Sequence, residues 1–221
     1  MLLSNRYVEN PMKSKAIQLA VKQFMDFTLS LCLLLLLLPL FIIVSIAICL
    51  ETKGSFLFIQ ERVGKNEKLF RIYKFRTMVK NAQNMGLKHR VIENDPRITR
   101  VGRVLRLTSI DELPQLINIL KGHMSFIGPR PTLKYQTDQY DAYHKQRLLM
   151  KPGMTGLAQV KGRKSLDWNE RFKYDIYYIH HYSLLLDAKI FLLTIKTLFN
   201  TKVIYRTTDP WTGKNIKNKN E

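Results

Sequence analysis

The chain has 221 residues, 46% of them hydrophobic, and its 36 Lys and Arg against 17 Asp and Glu give a formal net charge of +19. That length fits one domain with room for an anchor, and that charge points to an anionic partner: nucleic acid, a phospholipid surface or a phosphorylated small molecule. Cys32 and Cys49 form no CxxC pair and the five histidines no HExxH or HxxxH pattern, which argues against a disulfide framework and a zinc enzyme.

Residues 1–20 carry no readable motif. From Phe27 to Leu50 no residue is charged, and about 20 apolar residues suffice to cross a bilayer. Pro39 sits in the middle of this run, where it removes a helix hydrogen bond and forces a kink or break. Lys13, Lys15 and Lys22 precede the run, and Lys53, Arg62 and Lys65 follow it. Positive flanks are normally retained in the cytoplasm. The local signals leave two forms open: a kinked spanning helix, or a re-entrant one that returns to the side it entered from.

A β-hairpin is predicted over 55–63 and 68–78, turning at Gly64, Lys65 and Asn66. The polar stretch 78–96 reads as a loop or surface helix. Arginines alternate with apolar residues at helical spacing over 97–107, as in a basic helix lying on a membrane or on the core. A helix over 110–120, a loop over 122–131, an amphipathic helix over 135–149 and a loop over 151–156 follow. A short strand at 157–160 and helices over 168–182 and 184–201 complete the pattern, with Ser183 a candidate N-cap. The fold class is α/β, helix-rich and membrane-associated, with one small sheet. The tail, 206–221, is polar.

Three features could carry chemistry. Ser109 and Glu112 have capping-box spacing, and acids in a first helical turn suit the dipole. The same position lets Asp111 act as an ionised nucleophile beside an anionic substrate, and Asp111 with Glu112 could hold Mg²⁺. Arg62, Lys74, Arg76, Arg130 and Arg163 lie in short turn-bounded segments, where guanidinium forks match phosphate oxygens. Pro129 and Pro131 fix the backbone around Arg130. Asp187, inside an apolar helix, calls for a cationic partner. No helix-turn-helix, zinc-finger or KH pattern supports nucleic-acid binding.

Six ordered segments resemble one family, the bacterial sugar transferases, or monotopic polyprenyl-phosphate phosphoglycosyl transferases. They are 58–64 (FIQERVG), 70–78 (FRIYKFRTM), 108–116 (TSIDELPQL), 125–131 (SFIGPRP), 151–163 (KPGMTGLAQVKGR) and 186–190 (LDAKI). The resemblance implies a re-entrant membrane helix over 21–51, broken at Pro39, and a catalytic domain over 52–205 on the cytoplasmic face of the inner membrane. The family's break is a Ser-Pro pair. Leu38 replaces that serine here, with Ser30 or Ser45 as candidate substitutes. The implied reaction moves a sugar phosphate from a UDP-sugar to polyprenyl (undecaprenyl) phosphate and releases UMP. Asp111 is then the nucleophile, with Glu112 and Mg²⁺ at the dyad. The resemblance further implies that Lys74, Arg130, Pro131, Arg163 and Asp187 serve substrate binding, with Asp187 oriented on a site cation such as Arg130. Arg106 would touch the headgroups of anionic lipids. Two competing readings are a basic membrane-anchored binding protein and a glycosyltransferase that moves the sugar alone and releases UDP.

Overall fold

A computed structural model describes residues 13–85, 95–162 and 166–198. The apolar run forms two helices, α1 (Ala16–Leu36) and α2 (Leu38–Glu51). The break falls at Leu37, and Pro39 lies in the first turn of α2, where its missing N–H costs no helix bond. Ser30 Oγ donates to Phe27 O at 2.9 Å and Ser45 Oγ to Phe41 O at 2.7 Å. Each serine therefore serves its own helix, and neither substitutes for the family serine at the break. Helix α1 alone, among the described residues, is long and apolar enough to cross a bilayer.

One face of α1 is polar. Lys22, Asp26 and Ser30 recur every fourth residue, and all three are buried. Lys22 Nζ meets Asp187 Oδ2 at 2.6 Å, Tyr178 Oη donates to Asp187 Oδ1 at 2.7 Å, and Asp26 Oδ1 accepts from Phe126 N at 3.1 Å. This stripe ties the helix to the rest of the protein. The opposite surface of the helix pair exposes Leu35, Leu36, Leu38, Ile42, Ile43 and Ile46, a patch larger than single scattered apolar residues would make. Lys22→Met leaves Asp187 buried without its cation. We expect a loss of about 3–5 kcal/mol, read as a lower thermal midpoint in detergent and partly regained in Lys22→Met/Asp187→Leu.

The hairpin forms as predicted. Strands β1 (Leu57–Val63) and β2 (Leu69–Phe75) pair antiparallel, with Phe58 opposite Lys74. Asn66 and Glu67 take positive φ in the turn, at 53° and 62°. Helix α3 (Arg100–Thr108) starts at Thr99, whose side chain accepts from Gly102 N at 2.9 Å. Glu51, at the end of α2, accepts from Arg100 N at 2.6 Å and Val101 N at 3.0 Å, placing a carboxylate at the positive end of α3. Gly102 is required by close approach, since a Cβ there would lie 2.1 Å from Thr77 O.

Downstream, the structure departs from several sequence expectations. The predicted helix over 110–120 is a 3₁₀ turn (Ile110–Glu112) followed by α4 (Gln115–Leu120). Inside the predicted loop over 122–131 lies β3 (Ser125–Ile127), and β4 (Gly153–Thr155) lies inside the loop over 151–156; they pair in parallel as a second small sheet. The helix over 135–149 breaks into α5 (Lys134–Thr137), α6 (Ala142–Lys145) and a 3₁₀ turn (Gln146–Leu149). The break at Asp138–Asp141 gives α6 an N-cap: Asp141 Oδ1 accepts from His144 N at 2.8 Å. The strand expected at 157–160 is instead the start of α7 (Leu157–Gly162). Helices α8 (Trp168–His180) and α9 (Leu184–Leu198) match, and Ser183 Oγ accepts from Leu186 N at 3.1 Å.

The core is shared with the α1–α2 pair. Leu33, Leu34 and Leu37 pack on Phe70, Ile72, Leu116 and Met124, while Val44 and Ile48 pack on Phe75 and Leu105. These contacts hold β2 and the 110–112 turn, which carry the site, against the α1–α2 pair.

Candidate active site

Ser109 ends α3 in the left-handed conformation, φ 59°, which reverses the chain as a helix C-cap does. Two carboxylates follow at once on the 3₁₀ turn. Glu112 does not cap Ser109. Its Oε1 accepts from Lys74 Nζ at 2.6 Å and from Arg130 Nη2 at 2.6 Å. Asp111 makes no hydrogen bond to any described residue and lines a cleft of about 1190 Å³ with Arg62, Lys74, Arg106 and Arg130. That cleft has room for a nucleotide-sugar.

The neighbouring carboxyls are pushed apart. Burial, then the charge of Glu112, raises Asp111 to about 6, against the pull of Lys74, Arg106 and Arg130. Burial also works against ionisation of Glu112, but Arg130 and Lys74 outweigh it and hold that carboxyl well below the usual range. Glu112 is therefore a fixed anion that organises two cations. Asp111 is desolvated and ionised at neutral pH, and its raised pKa makes it a better nucleophile than an ordinary carboxylate. Burial and the nearby Arg130 lower Arg62 to about 10, and among the described residues its Nη2 bonds the neutral Gln60 Oε1, at 2.6 Å. A cation in that position favours an arriving anion.

A second layer aims these groups. Asn118 is fully buried and clamps β2 on both sides of Ile72: its Nδ2 donates to Arg71 O at 2.7 Å and its Oδ1 accepts from Tyr73 N at 3.0 Å. Lys74 follows directly. Arg147 Nη2 donates to Arg130 O at 3.0 Å and also pairs with Asp175 Oδ2 at 2.6 Å, both side chains buried. Pro131 lies between Arg130 and Thr132, whose carbonyl accepts from Val63 N at 3.0 Å. Sequence reasoning missed Asn118, Arg147 and Asp175, because their roles depend on contacts from far along the chain.

The structure thus brings Asp111, Glu112, Lys74, Arg130, Arg106 and Arg62 to one cleft. Arg106 donates its Nε to Thr77 Oγ1 at 2.9 Å. Arg76 also lines this cleft, and its guanidinium donates to Thr52 O at 2.7 Å and Lys53 O at 2.9 Å, closing the carbonyl end of α2. Asp187 has its ion pair, but with Lys22; Arg130, its expected partner, is taken by Glu112. Pro39 lies at the α1–α2 break. Arg163 falls outside the described residues.

Known proteins are similar to this chain over most of its length. Galactosyl transferase CpsE of Streptococcus agalactiae serotype III is 40% identical over 83% of this chain and 43% of its own length. UDP-N-acetylgalactosamine-undecaprenyl-phosphate N-acetylgalactosaminephosphotransferase of Aeromonas hydrophila is 40% identical over 80% of this chain, again 43% of its own length. This chain therefore spans less than half of those two relatives. EpsL of Bacillus subtilis, an uncharacterized sugar transferase, is 35% identical over 85% of this chain and 91% of its own length. The bacterial sugar transferase family matches residues 17–201, a span that takes in the α1–α2 pair, the hairpin, the carboxylate turn and the Arg130 loop. The chain belongs to the bacterial sugar transferase family.

Proposed function

We propose that this protein transfers a sugar phosphate from a UDP-sugar to polyprenyl (undecaprenyl) phosphate through a covalent intermediate on Asp111. The observation that carries the reading is the pairing of a desolvated, unbonded Asp111 with a Glu112 already committed to Lys74 and Arg130. In the first step an Asp111 carboxylate oxygen attacks the β-phosphorus. The bond from that phosphorus to the bridging oxygen breaks, and UMP leaves with the bond's electrons. A sugar-phosphoryl aspartate remains. An oxygen of the polyprenyl phosphate then attacks the same phosphorus, Asp111 is released as carboxylate, and polyprenyl-diphosphate-sugar forms. Lys74, Arg130 and Arg62 supply the charge that holds the donor diphosphate and steadies the phosphoryl oxygens.

The donor set fits Mg²⁺. Asp111 is free of hydrogen bonds to described residues, and Arg130 Nη1, at 3.4 Å, is the contact of Glu112 Oε2. Mg²⁺ is commonly held by one or two carboxylates, waters and substrate phosphates, and Asp111 with Glu112 offers such a pair. When bound there by Asp111 and Glu112, the ion would neutralise the diphosphate and the leaving UMP.

The test is nucleotide release by the full chain in detergent with Mg²⁺, undecaprenyl phosphate and a panel of UDP-sugars. UMP supports the reading; UDP would indicate transfer of the sugar alone. A pH profile adds a second check. Asp111 must be ionised to attack, and its pKa is raised to about 6, so UMP release should rise with pH through about 6. The midpoint should move lower as Mg²⁺ increases, because the cation favours the carboxylate.

The α1–α2 pair is read as a re-entrant anchor that keeps the site on the cytoplasmic face. Its exposed apolar surface, the basic residues at both ends, and Glu51 tying the end of α2 to α3 support this form. Exposed Val104 and Leu107 on α3 alternate with Arg100 and Arg103 and would lie at the lipid interface among anionic headgroups. Gln23→Cys and Lys53→Cys, each made after Cys32 and Cys49 are replaced by alanine, should be labelled from the same side. Labelling from opposite sides would mean a spanning helix.

A further inference from the structure

The cleft that holds Asp111 and Arg130 also has uncharged lining residues, and one side chain among them is costly as it stands. Gln159, on α7, has both carboxamide atoms sealed from water, and neither has a hydrogen-bond partner among the described residues. An amide buried this way is disfavoured unless something pairs with it. Exchanging the oxygen and nitrogen positions would not help, since both are unpaired. Gln159 lines the same cleft as Asp111 and Arg130, with Phe126, Met154, Thr155 and Phe191.

Thr155 adds a second open group. Its Oγ1 lies 2.8 Å from Thr194 Oγ1, and Thr194 already donates its single hydroxyl hydrogen to Ile190 O at 2.8 Å. Thr155 is therefore the donor of that pair, and its oxygen keeps lone pairs to offer. Together the two side chains present an N–H donor, a carbonyl acceptor and a hydroxyl acceptor without charge. Hydroxyl groups both donate and accept and match this set; phosphate oxygens, which only accept, do not.

The subsite is joined to Arg130 through the backbone. Gly128 N donates to Thr155 O at 2.9 Å, and Gly153 N to Pro129 O at 2.9 Å. A Cβ on Gly156 would stand 2.2 Å from Gly128 O and 2.9 Å from Gln159 Oε1, so glycine lets these segments close up. The strap that carries Arg130 to the dyad is thus bonded to the strand and helix that carry Thr155 and Gln159. The uncharged part of the donor nearest the attacked phosphorus is its sugar.

We propose that Gln159 and Thr155 form the subsite that holds the hydroxyl groups of the donor's sugar. This rests on the phosphotransfer reading above. The CH faces of the sugar ring would lie on Phe126, Met154 and Phe191.

The test compares wild type with Gln159→Leu and Thr155→Val, using the full chain in detergent with UDP-galactose, UDP-glucose and UDP-N-acetylgalactosamine, and UMP as a competing inhibitor. Each variant should raise the donor KM about tenfold or more and leave inhibition by UMP unchanged. The thermal midpoint of Gln159→Leu should equal or exceed that of wild type, because an unpaired amide is gone. Donor KM within twofold of wild type in both active variants would overturn the inference. A parallel loss of UMP inhibition would overturn it as well, assigning the subsite to the nucleotide. Failure of wild type itself to release UMP from any donor would instead remove the phosphotransfer reading, and the subsite with it.

Discussion

Asp111→Asn should abolish UMP release, with a drop of about 10³-fold or more, while the protein stays folded. The amide is nearly the same shape, so binding of the donor should persist. What disappears is the anionic oxygen that attacks phosphorus. The stability of the variant is informative in its own right. The folded pKa of Asp111 lies above the ordinary carboxylate value. Holding that group ionised therefore opposes folding at pH values above about 6, and asparagine removes the opposition. The variant should melt at or above the wild-type temperature. A dead but less stable variant would make Asp111 a structural residue. Wild type supplied with donor alone should accumulate a sugar-phosphoryl protein, whose added mass is lost on adding undecaprenyl phosphate. In Asp111→Asn that mass should not appear.

Glu112→Gln should lower UMP release by about 10²- to 10³-fold through a different route. Lys74 and Arg130 converge on one carboxylate oxygen, and a neutral amide cannot hold two cations there. Asp111 would be the remaining anion beside them. Pairing with either cation would quench its nucleophilicity. Loss of the Glu112 charge, which raises Asp111, should also shift the pH midpoint of residual activity below that of wild type at the same Mg²⁺ concentration. An unchanged midpoint would mean that Glu112 acts only on the substrate or the metal. The two variants are thus told apart by the pH profile of what activity remains.

The parts of this site that were legible in the sequence are those fixed by local chemistry. The hairpin announced itself through turn residues and apolar strands, and the carboxylate pair, Lys74 and Arg130 lay in ordered motifs. The capping box at Ser109 and Glu112 was locally sound and still wrong. Two cations from 38 and 18 residues away bind the Glu112 carboxylate, and Ser109 adopts a left-handed cap instead. The same limit hid the partner of Asp187. Lys22 stands 165 residues earlier, on a helix that looked merely hydrophobic. Gln159 carries no charge, and only its burial without a partner gives it meaning. The strands β3 and β4 are three residues each, too short for any alternation to be read.

The polar stripe of α1 bears on how this protein can be handled. Trimming residues before Thr52, the usual way to free a catalytic domain from its anchor, would remove Lys22 from Asp187 and Asp26 from Phe126 N. It would also take Leu33, Leu37, Val44 and Ile48 out of the packing around β2 and α3. The truncated remainder would expose an apolar floor beneath Lys74 and the dyad and strand a carboxylate in α9. The α1–α2 pair and the candidate site are packed as one folding unit, so under the proposed anchor a soluble form should come from redesigning exposed apolar residues, such as Leu36, Ile42 and Ile46, with the helices kept in place.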